Sequence, residues 1–179
     1  MSKKELIVIE IPNYMLEVCI SKKRRPKYDE DGNLTNKRTV GKPRMMKING
    51  QSLWVTMNHN LRSKIAKELK YYLYQQIKDI PHIEEYPIGV DMEFYLPYGD
   101  YDIDNICLWW RKCFQDALAG NIDYIKYEED GKTKYLPNHT DYPPKIPDDN
   151  VRYIQEANNK FIPVDSMDNR KLLIRINAL

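Results

Sequence analysis

Residues 88–120, IGVDMEFYLPYGDYDIDNICLWWRKCFQDALAG, decide the fold of this chain, because two periodicities meet inside them. Ile88, Val90, Met92, Phe94 and Leu96 recur at period two, so a strand over 88–96 lays them on one face. From about Asn105 to Leu118 the period changes. Ile106, Trp109, Trp110, Cys113, Phe114 and Ala117 form the broad apolar face of a helix, with Lys112 and Asp116 together on the opposite side. Between the two elements lies Asp102-Ile103-Asp104-Asn105. Carboxylates at i and i+2 in a strand-to-helix loop can converge on one point. A hard divalent cation such as Mg²⁺ takes that arrangement, with few protein oxygens and positions left for water and phosphate oxygens. Asp104 or Asn105 also suits the helix N-cap, a role compatible with metal binding.

Working outward, residues 5–11 and 15–20 read as strands separated by Pro12-Asn13. Segment 21–47 is basic and holds the turn signal Asp29-Glu30-Asp31-Gly32-Asn33, which predicts a long exposed loop or hairpin. Leu61, Ile65, Leu69, Leu73 and Ile77, widened by Ala66 and Tyr72, have helical spacing over about 60–78, and Pro81 stops that helix. Beyond Gly120, residues 124–136 read as a hairpin turning at Asp130-Gly131. A strand near 151–157, a connection through Pro163 to Asn169 and a strand over 171–176 complete the chain. The order predicts one α+β domain over 1–179, a mixed β-sheet with two main α-helices packed on it.

At 179 residues the chain fits one domain with an ordinary core. Its net charge is only +2, but the charge is unevenly spread. Between Lys22 and Lys47 ten Lys or Arg stand against three acids, leaving 18 basic and 23 acidic residues elsewhere. A basic arm beside an acidic centre suits a protein that neutralises phosphates with one part and holds cations with the other. Lys22, Lys23, Arg24, Arg25, Lys27, Lys37, Arg38 and Arg44 are the candidate DNA contacts. The three cysteines, Cys19, Cys107 and Cys113, are odd in number and lack Cys-x-x-Cys spacing, which points to a reducing cytoplasm rather than a disulfide scaffold. No run approaches the ~18 apolar residues of a membrane span, and no phosphate-loop glycine pattern calls for a nucleotide cofactor. His59, His82 and His139 are widely separated and read as surface or cap residues. Trp109 and Trp110 fall in the apolar stripe and read as core rather than as a base-stacking platform.

A third source of carboxylates is Asp148-Asp149-Asn150, just ahead of the strand-like Val151-Arg152-Tyr153-Ile154. With this segment the chain resembles the RusA-type Holliday-junction resolvases. Their signature is an Asp-x-Asp-Asn, a Lys on the following helix, an Asp-Ala-Leu-x-Gly helix end, and a later Asp-Asp before a strand. The motifs cover about residues 88–177; the N-terminal half matches only in order of elements. The resemblance implies a RusA-like fold and a Mg²⁺-dependent (Mn²⁺ also serving) endonuclease that resolves four-way DNA junctions by paired symmetric cuts, leaving 5′-phosphate and 3′-hydroxyl ends. Asp102, Asp104 and Asp149 would bind metal with Asp148 as helper, Lys112 would stabilise developing charge, and Asn105 and Asp116 would support them. Paired cuts require a twofold homodimer.

Two features depart from the family pattern. Leu108 occupies the family's Lys position, and Lys112 comes four residues later. If the helix begins at Asn105, Lys112 keeps the same face but starts about 10.5 Å along the axis, its side chain leaning back toward the N-terminus. Alternatively the loop absorbs the extra residues and the helix starts nearer Trp109. The second departure is an insertion over about 121–147, which makes Glu129-Asp130 a rival acidic pair. Asp148-Asp149 is preferred because a strand follows it, whereas a turn tip would hold its acids in solvent. Two readings of other classes stand beside the nuclease: a non-catalytic DNA-binding protein with a degenerate site, and a structural or partner-binding module.

Overall fold

In the computed structural model, residues 3–31, 34–48, 59–97 and 103–179 are described. The architecture is α+β, a mixed sheet with two helices. Four strands form the main sheet in the order β1 (Lys4–Pro12), β8 (Lys171–Ala178), β4 (Ile88–Pro97), β7 (Ile154–Val164). β8 runs antiparallel to both β1 and β4, while β7 is parallel to β4. The period-two pattern of 88–96 has its expected cause. Ile88, Val90, Met92, Phe94 and Leu96 are all buried on one face, beside Leu172, Ile174 and Ile176 of β8. The other face is polar, where Asp91 accepts from Asn158 at 2.7 Å and Asn177 at 2.8 Å, and Arg175 pairs with Glu93 at 3.1 Å.

Helices α1 (His59–Ile77) and α2 (Ile103–Leu118) pack on the apolar face and on each other. α1 supplies Ile65, Leu69, Leu73 and Ile77, and α2 supplies Trp110 and Phe114, all six fully buried. Tyr14 bridges sheet and helix edge-on, its ring 6.1 Å from Phe94 and 5.3 Å from Trp110. Both tryptophans of α2 are therefore core residues, as their stripe position implies.

The basic segment is a hairpin rather than a loop. β2 (Glu17–Tyr28) pairs antiparallel with β3 (Leu34–Lys47), placing Lys22 opposite Pro43, Arg24 opposite Val40 and Arg25 opposite Thr39. Val18 and Ile48 bury its root, and the Asp31 amide donates to the Asp29 carboxylate at 3.1 Å near its turn. β2 begins at Glu17 rather than at 15. The second hairpin, β5 (Tyr124–Glu129) with β6 (Lys132–Pro137), turns at Asp130-Gly131 as expected, both residues having positive φ (52° and 70°).

Three further boundaries differ from the sequence pattern. α2 starts at Ile103, two residues before Asn105, which excludes a start near Trp109. The strand expected from 151 begins at Ile154, because Asn150 imposes a turn first. Its side chain accepts from the Arg152 amide at 2.9 Å, and its carbonyl takes both the Tyr153 and Ile154 amides at 3.0 Å. That strand then continues to Val164, through Pro163, where a connection is expected. Pro163 is tolerated because β7 is an edge strand, needing no amide on its open side.

Candidate functional site

The site is assembled at the end of α2. Gly120 has φ +72°, and its neighbours close a helix cap: its amide donates to Ala117 at 3.1 Å and the Asn121 amide to Asp116 at 2.8 Å. A Cβ at Gly120 would lie 2.5 Å from the Tyr142 carbonyl oxygen. The glycine of Asp-Ala-Leu-x-Gly is thus required by both conformation and space, while Ala117 and Leu118 are buried. The chain leaves through the β5–β6 hairpin and returns to the same place. The Lys145 and Ile146 amides both donate to the Leu118 carbonyl, at 2.6 and 3.2 Å, and Ile146 is fully buried. The segment 121–147 is a detour whose two ends are tied to one helix terminus, so Asp148-Asp149 arrives beside α2.

There Asp149 forms an ion pair with Lys112, from which it is separated by 37 residues. Lys112 also pairs with Asp116 one turn along α2, at 2.9 Å. The second oxygen of Asp116 takes Lys70 of α1, at 3.1 Å, and Lys70 donates as well to the Asn121 carbonyl at 2.8 Å. The result is an alternating row, Lys70, Asp116, Lys112, Asp149. Lys70, Asp116 and Asp149 have side chains only 13, 15 and 18% exposed, whereas Lys112 is 53% exposed. Asp148 lies outside this row. Its carboxylate accepts from the Asp149 amide at 2.8 Å and the Asn150 side chain at 2.6 Å, shaping the loop.

Charge states follow from these contacts. Burial by itself would raise the Asp149 carboxyl, but the hydrogen bond from Lys112 and its charge hold it below the usual carboxylate range. Burial acts on Lys112 in the opposite sense, and its bonds to Asp149 and Asp116 prevail, so its ammonium is held above the ordinary lysine value. Burial, with Asp116 nearby, pushes the Cys113 thiol up to about 12, which leaves it protonated and non-nucleophilic at neutral pH. Cys107 and Cys113 are buried small apolar residues, and the three histidines are exposed.

Of the residues singled out by sequence, Lys112, Asp116 and Asp149 are brought together. Asp102 lies outside the described residues. Asp104 and Asn105 are described by backbone only, in the first turn of α2, which places Asp104 about 12 Å along the axis before Lys112. The basic residues Lys22, Lys23, Arg24, Arg25, Lys27, Lys37, Arg38 and Arg44 are placed by backbone on β2 and β3. The rival acids sit at the β5–β6 turn, Glu129 paired with Lys134 and both acids exposed. Lys112 does not lean back toward the first turn of α2; its ammonium is engaged at the level of Asp116. Lys70 escapes pattern reading, although a lysine inside the stripe Ala66, Leu69, Leu73, Ile77 is the kind of residue that must find an internal partner.

Among the described residues no three His, Cys, Asp or Glu converge as a metal-holding group. No described helix is long and apolar enough to cross a membrane. Comparison with family models, with curated proteins and with solved structures finds no match for this chain.

Proposed function

We propose that the chain is a RusA-type, Mg²⁺-dependent endonuclease acting on four-way DNA junctions as a homodimer. The observation that carries this reading is the meeting of Lys112 with Asp149. The motif resemblance names a helix lysine and a downstream Asp-Asp, and these two, 37 apart in sequence, are in contact across an intervening hairpin. One oxygen donor of the kind a hard cation takes is the partly buried, ionised Asp149 carboxylate, while Asp104 lies in the first turn of the helix that carries Lys112, about 12 Å along its axis.

In this reading Asp102, Asp104 and Asp149 would hold Mg²⁺ or Mn²⁺, with Asp148 shaping the loop of Asp149. When bound, such an ion lowers the pKa of a coordinated water and neutralises charge on phosphoryl oxygens. The chain's own residues do the rest. Asp149 would be shared between the ion and the Lys112 ammonium, which takes its Oδ2. Lys112 stays charged, remains tethered to Asp116, and can turn to the charge that gathers on the phosphoryl or leaving oxygen. The β2–β3 hairpin, with its concentration of Lys and Arg, supplies phosphate contacts that need no base recognition.

One observation favours a second reading, DNA binding without cleavage. Because α2 starts at Ile103, no loop absorbs the four-residue displacement, and Lys112 stays a turn beyond the family position while Leu108 is exposed there. Cleavage of a labelled four-way junction by wild-type, Asp149→Asn and Asp130→Asn proteins, with and without Mg²⁺, separates the two. The nuclease reading expects Mg²⁺-dependent cutting lost only in Asp149→Asn. Loss in Asp130→Asn alone would move the site to the hairpin tip, and binding without cutting by wild type would favour the second reading.

A further inference from the structure

We infer that Lys70, on α1, is a positioning residue of the proposed nuclease site, fixing where Lys112 holds its charge without touching substrate. The inference rests on the nuclease reading for its catalytic consequence, and on the ion row alone for its geometry. Lys70 belongs to the helix face that buries Leu69 and Leu73, and its side chain is only 13% exposed. An ammonium so far from water is costly unless bonded, and it is bonded to two groups at the end of α2: the Asp116 carboxylate at 3.1 Å and the Asn121 carbonyl at 2.8 Å.

The division of the Asp116 oxygens is what matters. Oδ2 goes to Lys70 and Oδ1 to Lys112. A carboxylate pinned on one side can offer Lys112 a single oxygen in one direction. The Lys112 ammonium has three donors, of which Asp116 and Asp149 take two. Lys112 is therefore held at the mouth of the row by two carboxylates, of which Asp116 is the one fixed from its other side. Removing the Lys70 charge frees Asp116 to rotate both oxygens, and the half-exposed Lys112 then loses its fixed direction.

Two readouts test this on the full chain: junction cleavage at saturating Mg²⁺, and acetylation of each lysine by an N-hydroxysuccinimide ester read by mass spectrometry, with exposed Lys132 as internal reference. Lys70→Met keeps most of the stem and removes the ammonium; Lys70→Arg keeps a donor that can reach both partners. In Lys70→Met the acetylation rate of Lys112 relative to Lys132 should rise about fivefold and kcat should fall about tenfold at unchanged KM, changes of roughly 1 to 1.4 kcal/mol. Lys70→Arg should recover most of both. A merely structural Lys70 would lower the melting temperature of Lys70→Met yet leave Lys112 reactivity and kcat at wild-type values in the folded protein, and that result overturns the inference. Should wild-type protein leave the junction uncut, the nuclease reading fails, and Lys112 reactivity by itself decides the role of Lys70.

Discussion

Replacing Lys112 by Met removes the ammonium that joins Asp116 to Asp149 while keeping the apolar stem. Exposed ion pairs contribute about 0.2–1 kcal/mol, and hydrogen bonds to charged groups about 1.5–3 kcal/mol. The Lys112 side chain is 53% exposed and its two carboxylate partners are 15 and 18% exposed, so solvent screens one end of each bond. Asp116 also retains Lys70. The expected loss at neutral pH is therefore near the lower range, about 1 kcal/mol, or about 2–4 °C in Tm for a chain of this length. The pH dependence has a fixed sign. The Asp149 carboxyl is lowered in the folded state, so its contribution is present above the ordinary carboxylate pKa and is lost as pH falls through the depressed value. The Lys112 ammonium is raised, so its contribution persists below the ordinary lysine pKa and is lost only as pH rises through the raised value. The difference in Tm between wild type and Lys112→Met should be flat from about pH 5 to 9 and shrink below about pH 4. Circular-dichroism melts across that range measure it, and a cycle with Asp149→Asn isolates the pair. No difference at pH 7, or a full difference persisting at pH 2.5, would refute the pairing and its assigned charge states.

Gly120→Ala should cost about 2 kcal/mol or more, because it adds a left-handed penalty to a clash with the Tyr142 carbonyl; an unchanged Tm would show the cap to be dispensable. Asp104→Asn should retain fold and junction binding yet abolish cleavage, and substantial cutting by the well-folded variant would remove Asp104 from the site. Changing Lys22, Lys23, Arg24 and Arg25 together to Ala should weaken junction binding and flatten its salt dependence by about 0.9 in log–log slope for each phosphate that is no longer neutralised. An unchanged slope would make the β2–β3 hairpin a solvated ribbon.

Much of the fold is legible in the sequence because its elements are locally consistent. Ile88 to Leu96 alternate because β4 buries one face only, and the α2 stripe from Ile106 to Ala117 is the stripe that meets the sheet. The Asp130-Gly131 turn is legible for the same reason, since few residue pairs accept two positive φ values. Starts of elements are less legible. Asn150 holds Val151–Tyr153 in a turn through three hydrogen bonds, and β-propensity alone gives no sign of that competition. The pairing of Lys112 with Asp149 depends on the segment 121–147 returning to Leu118, a long-range tie that no spacing encodes. Lys70 stays hidden for a related reason: its partner, Asp116, lies on the other helix, and only the packing of α1 against α2 brings them together.

Cleavage of a branched substrate is read by labelling each strand of a four-way junction in turn and mapping the cuts with and without Mg²⁺, beside a linear duplex of the same sequence. A junction-resolving nuclease gives paired nicks at symmetric positions on two opposing strands, dependent on Mg²⁺, religatable, and absent from the duplex. Tight junction binding with all four strands intact at saturating Mg²⁺ would contradict the nuclease reading.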